Sequence, residues 1–300
     1  MILKGVAQTN VTSQEDRTYH KSFEIQHDND FLLSTDRYYT TGSFIGLTFL
    51  APKKNDSAYR KQLRLAIEQE IYTPTDLLET DPQKFDRTYA GYLGLSAQLT
   101  FARHQHIWNM KLAFGFTGPL SGAQFFQSAF HQSAAQDSRI ATWKPQIENN
   151  LLTNLYASYI HEWSIPITSL DIYAAVEPEV AVGTRDIYGQ NNLIIYIGKR
   201  NKLEESAAYK QIGNFKNELF FSAKASYRYV IHNTLLEGVN FWTKTTDFTK
   251  EPFPHLFMYG FEGVYRLRRN TFTIGYTHSS SETSGAENHA FTSFSFIRNF

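Results

Sequence analysis

Asn288-His-Ala-Phe-Thr-Ser-Phe-Ser-Phe-Ile-Arg-Asn-Phe300 closes the chain and sets Phe294 and Phe296 against Ser293 and Ser295. A period of two puts the rings on one face of an extended strand and the hydroxyls on the other. Such a strand needs an apolar environment on one side of its sheet and a polar or crowded one on the other.

The same pattern recurs upstream. Ile45, Leu47 and Phe49 alternate with Phe44, Gly46 and Thr48, and Leu63, Leu65 and Ile67 alternate with Gln62, Arg64, Ala66 and Glu68. Tyr89, Gly91, Leu93, Leu95, Ala97, Leu99 and Phe101 are set against Ala90, Tyr92, Gly94, Ser96, Gln98 and Thr100. Turn signals divide the chain into about twelve strands, at 21–28, 39–50, 60–72, 88–102, 106–117, 146–162, 167–182, 191–198, 217–232, 254–267, 271–279 and 289–300. Short turns at Arg103-His-Gln-His, Ser164-Ile-Pro-Ile and Arg268-Arg-Asn270 alternate with long links near 29–38, 73–87, 118–145, 183–190, 233–253 and 280–288. The link near 199–216 breaks the alternation, being long and polar among the short turns. Within the longest link, Ser121 to Ala135 is rich in helix-tolerant residues, and Phe126 and Phe130 share a helical face with Phe125 beside them. A short helix on or in a barrel mouth is expected there.

An even number of strands with small residues on one face describes an all-β, transmembrane antiparallel β-barrel with a short helix in a long extracellular loop. The terminal aromatic strand resembles the one by which bacterial outer-membrane proteins are recognised. Composition agrees: 15% of the residues are aromatic, with Tyr 18 and Phe 24, while the mean hydropathy of -0.40 is that of a water-soluble chain. A barrel reconciles the two, because only alternate residues meet lipid. A soluble β protein would leave Leu93, Leu95, Leu99 and Phe101 as an exposed apolar band. Apolar runs such as Leu193-Ile-Ile-Tyr-Ile197 fall short of the roughly 20 residues of a membrane helix. Lys plus Arg and Asp plus Glu both number 29, so no global field draws in nucleic acid. Cysteine is absent, which argues against a disulfide scaffold. The expected organisation is a periplasmic extension over 1–20 and one barrel over 21–300. Met1-Ile-Leu-Lys-Gly-Val-Ala-Gln8 is too brief for an export signal, so the mature form is expected. Tyr38, Tyr39, Tyr89, Trp108, Trp143, Trp163 and Tyr276 are read as a membrane-interface girdle. Asp86, Arg87 and Glu148 are read as a network of opposite charges in the lumen.

Two segments carry candidate chemistry. His27-Asp-Asn-Asp30 ends the first strand and Ser34-Thr-Asp-Arg-Tyr-Tyr-Thr-Thr-Gly42 opens the second. Their carboxylate, amide and hydroxyl oxygens are the ligands that a hard cation such as calcium prefers. The same residue types also make ordinary exposed loops, and no EF-hand spacing is present. The longest link holds His131, with Gln132, Ser133 and Asp137 nearby. An imidazole suits a general base near neutral pH, and His131-Gln-Ser133 offers a serine nucleophile as the other arrangement.

Taken in order, His27-Asp-Asn-Asp-Phe31, Thr35-Asp-Arg-Tyr-Tyr-Thr-Thr-Gly42, Ile71-Tyr-Thr-Pro74, Asp86-Arg-Thr-Tyr-Ala-Gly91, Gly118-Pro-Leu-Ser-Gly122, His131, Trp143 with Gln146-Ile-Glu-Asn149, Leu235-Leu-Glu-Gly238 and the terminal strand resemble the outer-membrane lipid A 3'-O-deacylases. The resemblance runs from about residue 23 to the C-terminus. It implies a twelve-stranded enzyme of the Gram-negative outer membrane that removes the 3'-linked acyloxyacyl chain of lipid A. It further implies Ca²⁺ at the oxyanion and a histidine that activates water. On matching positions His131 is the general base, and Asn29, Asp30 and Thr40 are the polar metal-site residues. Asp137 stands where the family has an acidic residue six positions beyond the histidine. Glu79 stands where the family has a lysine, and Lys84 is the nearest cation that can meet a substrate phosphate. Lipopolysaccharide and outer-membrane lipids are the expected partners, with the protein a monomer. A phospholipase using Ser133 and His131, or a passive structural barrel, are the alternatives.

Overall fold

The computed structural model describes residues 19–30, 35–52, 58–134, 141–167, 170–214, 216–238 and 248–300, and for residues 130, 131, 133, 134 and 170 only the backbone. Twelve strands close into one antiparallel barrel, with β12 paired to β1. They are β1 (Lys21–Asn29), β2 (Tyr38–Leu50), β3 (Arg60–Thr73), β4 (Ala90–Arg103), β5 (His106–Thr117), β6 (Asn150–Ile167), β7 (Leu170–Gly183), β8 (Asp186–Lys199), β9 (Glu218–Asn233), β10 (His255–Leu267), β11 (Asn270–Ser279) and β12 (His289–Asn299). Among the described residues two α-helices stand in the links: α1 (Ala123–Ala134) and α2 (Thr234–Glu237). The start of β1 meets the last residue at the near end, where the amides of His20 and Lys21 donate to the Phe300 carbonyl. The ends of β3, β5 and β9, from which the long links leave, lie at the far end.

Alternation places the residues as expected. Ile45, Leu47, Leu65, Ile67, Leu95, Leu99, Leu112 and Phe114 face outward and are between 40 and 63% exposed, an apolar belt around the whole barrel. Among the described residues no helix is long and apolar enough to cross a membrane; the strands carry the apolar surface instead. The lumen is filled rather than open. Arg185 meets Glu70 at 2.7 Å and Arg200 meets Glu162 at 2.7 Å, so buried charges stand in pairs.

The polar link between β8 and β9 explains its own exception. It turns into the near mouth and plugs it, with Leu203, Ala207 and Ile212 buried. The Ile212 amide donates to Gln62 Oε1 at 2.7 Å, and Arg266 donates to the carbonyls of Glu205 and Gln211. Its polar residues face a polar lumen, which is why the segment reads as a loop.

Four expectations are corrected. The turn placed at Ser164-Ile-Pro-Ile is strand instead: β6 runs through Pro166 to Ile167, and β7 begins at Leu170. The β5 ladder stops at His161, so beyond it β6 has a full neighbour only in β7, and a proline lacking its N–H is tolerated on an open edge. The long link placed at 183–190 is a two-residue hairpin at 184–185. Gly189, Gln190 and Asn191 look like turn residues but pair with Val180, Glu179 and Pro178. The girdle holds for Trp108, Trp163 and Tyr276 only. Tyr38, Tyr89 and Trp143 are 2%, 0% and 1% exposed, buried under the far-end links, and Tyr39 turns inward to donate to Asp28. The Asp86, Arg87 and Glu148 network also differs. Arg87 lies over the Tyr72 ring and meets Glu282, Asp86 accepts from Tyr38, and Glu148 is exposed.

Candidate active site

Asp30 follows β1 directly and is fully buried. Its Oδ2 accepts from Thr35 Oγ1 and from the Arg37 amide, both at 2.9 Å. Its Oδ1 is buried and has no hydrogen-bond partner among the described residues. Burial pushes the carboxyl up to about 7, against the donors that favour its charged form. A desolvated carboxylate with one orphaned oxygen is a position that a cation or a proton must satisfy. The Asp30 amide donates to the Thr40 carbonyl at 3.3 Å, which holds the two ends of the hairpin together.

Thr40 is the extra residue of a bulge: the β2–β3 register passes from Tyr39 to Thr41 without it. Its hydroxyl meets that of Thr73 at 2.8 Å, and the Thr73 hydroxyl also approaches the Asp36 carbonyl. Asn29 behaves differently, its amide donating to Thr41 across the β1–β2 pair. Asn29, Asp30 and Thr40 thus share the far rim of one hairpin, with each side chain engaged by a different neighbour.

The helix is fastened to that rim. Gly91 on β4 lets it approach, since a Cβ there would stand 2.3 Å from Ala123 Cβ. Gln127 is buried in the middle of α1, accepting from Trp143 Nε1 at 2.7 Å and donating to Asp36 Oδ1 at 3.5 Å. Trp143 lies against Tyr89 in a small core with Leu77, Phe85 and Ala123. It adopts a φ of 55°, and Tyr38 across the rim one of 59°. Bulky residues rarely adopt this left-handed region, and such strain collects at functional sites. Position 131 comes one helical turn after Gln127, on the same face of α1. The hairpin oxygens and the histidine-bearing turn therefore belong to one assembly at one end of the barrel.

The family model for "Outer membrane protein LpxR" matches residues 1–300. The chain belongs to the LpxR family. Among solved structures, LpxR from Salmonella typhimurium superposes with a TM-score of 0.77 at 19% identity, over 93% of this chain and 100% of that one. The beta domain of the Bordetella autotransporter Brka and the translocator domain of NalP from Neisseria meningitidis are looser likenesses, each with a TM-score of 0.42. They are 8% and 6% identical, over 94% and 95% of this chain and 99% and 89% of theirs. A comparison with curated protein sequences finds no match. Membership of the LpxR family makes the protein an outer-membrane hydrolase that deacylates lipid A.

Within this LpxR-family protein, the side chains of His131 and Ser133, and Asp137 altogether, lie outside the described residues. Among the described residues no three His, Asp or Glu side chains converge on a metal position; the donor set at the hairpin is one carboxylate with amide and hydroxyl oxygens. That set with the Asp30 orphan fits a hard cation. Lys84 is 66% exposed on the rim, 3.8 Å from Glu79 and 3.7 Å from Asp81. The lysine and the glutamate at the family's lysine position are thus neighbours. Sequence reasoning placed Thr35 and Asp36 in the candidate hairpin without giving either a role of its own, missed Thr73 and Gln127, and assigned Trp143 to the membrane. Asp36 and Thr73 stood within the motifs shared with the family; Gln127 carried no signal of its own.

Proposed function

We propose that the protein hydrolyses the 3'-linked acyloxyacyl ester of lipid A with calcium as its cofactor and His131 as general base, acting as a monomer. The observation that carries this reading is the buried, unpartnered Oδ1 of Asp30 on a hairpin tied through Asp36 and Gln127 to the helix turn that bears His131. Asp30, Asn29 and Thr40 would hold the ion, with Asp137 completing the set. When bound, calcium supplies positive charge where the ester oxygen becomes an oxyanion. Thr35 and the Arg37 amide hold the Asp30 carboxylate in place. His131 takes the proton of the attacking water at a ring nitrogen and returns it to the leaving alkoxide. Lys84 meets a substrate phosphate, its hold reduced by Glu79 beside it. A barrel with no free edge needs no partner chain to complete its ladder.

The test is lipid A mass spectrometry of cells expressing the protein or its His131→Ala variant. Loss of 3' deacylation with an intact, inserted barrel is expected; undiminished release rejects the role of His131. Ser133→Ala separates the serine arrangement, since a water-attack enzyme survives that change and a serine enzyme does not.

A further inference from the structure

A groove of about 950 Å³ crosses the lipid-facing wall. Strand register shows how it is made. His27, Phe294, Ile274, Gly263, Phe221 and Ile197 pair successively across β1, β12, β11, β10, β9 and β8, forming one row on the outer face. Gly263 is the residue without a side chain in that row, standing between Ile274 and Phe221. Below the gap Phe272 and Tyr265 wall the next row. A Cβ built on Gly263 meets only Ile274 Cγ2, at 3.6 Å, so the gap is space rather than a packing requirement.

The row is inclined. His27 lies two residues from the far end of β1, and Ile197 lies two residues from the near end of β8. Six strands at about 4.8 Å spacing give a path of roughly 24 Å, the scale of an extended long acyl chain. Its upper end points toward the candidate site: His27 lines the groove, and Asn29 stands two residues further along the same outward face of β1. The lining is largely apolar, with His27, Tyr265, Thr273 and Ser295 as its polar-bearing residues.

We propose that this groove seats a long hydrocarbon chain of the substrate lipid whose ester is presented at the Asp30 hairpin. The inference rests on the deacylase reading. The chain runs from beside Asn29 down the β1–β12–β11–β10 wall, and Gly263 leaves the room it occupies. The groove offers the chain fixed packing contacts in place of fluid bilayer hydrocarbon, an exchange in which dispersion contacts and fit, not removal from water, supply the gain, so the wall selects for chain length.

Gly263→Phe fills the gap and tests the idea with deacylation kinetics on lipid A of full and shortened acyl length. An apparent KM raised severalfold for the long-chain substrate, with the short-chain substrate and kcat unchanged, is the expected result. Leu95→Phe, an exposed belt position on β4, serves as control and leaves both substrates unaffected. Equal effects on both substrates, or none, overturn the proposal. A second arm reads occupancy without turnover: Phe221→Trp in a His131→Ala background, in vesicles carrying bromine on the acyl chains of either lipid A or phospholipid. The introduced indole should be quenched more strongly by brominated lipid A at equal density; equal quenching means ordinary lipid contact and overturns the proposal. An unmutated protein with no deacylase activity would reject the parent reading, whereas the quenching arm judges the groove alone.

Discussion

Gln127 on α1 donates to the Asp36 carboxylate at 3.5 Å while accepting from Trp143 Nε1 at 2.7 Å. One amide thus joins the helix that carries His131, the hairpin that carries Asp30, and the buried link that returns to β6. The site is assembled from three far-end links rather than from a single motif, and the barrel wall fixes where each begins.

Replacing Gln127 by leucine keeps its bulk but removes both bonds. Trp143 would keep a buried N–H without a partner, at a cost of about 1–3 kcal/mol, and α1 would lose its tie to Asp36. Deacylation should fall at least tenfold while the barrel still migrates as a folded species in unheated gels. Full activity in that variant would show that the tie does not position the helix.

Gly91→Val tests the same docking from the strand. The new side chain would collide with Ser121 and Ala123, lifting the start of α1 while β4 remains paired. A loss of activity with unchanged strand content by circular dichroism is expected, together with easier proteolysis within the 118–149 link.

Calcium binding should depend on pH through Asp30. Its carboxyl is raised to about 7 from an ordinary 3.8, so without a cation the folded state holds this proton more tightly than the unfolded chain. The associated stability is fully present below the ordinary value and is lost as pH rises through about 7. On the proposed reading calcium displaces that proton, so affinity measured by titration calorimetry should weaken about tenfold for each unit below 7, and calcium should raise thermal stability more at pH 8 than at pH 6. Asp30→Asn should flatten both trends. Trends that persist in this variant would assign the linkage to another group.

The near-end plug makes a prediction about stability alone. Arg266 is 1% exposed and meets Glu218 at 2.8 Å, with carbonyls of Glu205 and Gln211 as further acceptors. Arg266→Ala leaves a buried carboxylate without its cation and should cost about 3–5 kcal/mol in denaturant unfolding. Activity per folded molecule should not change, because the plug and the far-end site occupy opposite mouths.

Strand existence was readable because lipid on one side and a crowded lumen on the other impose a strict period of two, as in Leu95, Ala97 and Leu99 against Ser96, Gln98 and Thr100. Strand ends were less readable. Pro166, Gly189 and Asn191 carry turn-like local preferences that the ladders on either side override. The girdle reading failed at Tyr38, Tyr89 and Trp143 because an aromatic at a strand end looks the same whether lipid or a folded-over loop covers it.

The sequence by itself determined the twelve-stranded barrel, the membrane that suits it, and the hairpin oxygens and histidine worth testing, since period and residue chemistry are local properties. Only the tertiary structure decided that Asp30 keeps a buried oxygen unpartnered, that Gln127 bridges helix and hairpin, and that Gly263 opens a groove in the wall. Each of these depends on groups far apart in the chain, brought together by closure of the sheet and by loops folding over its mouth, and no spacing within one segment records such a meeting.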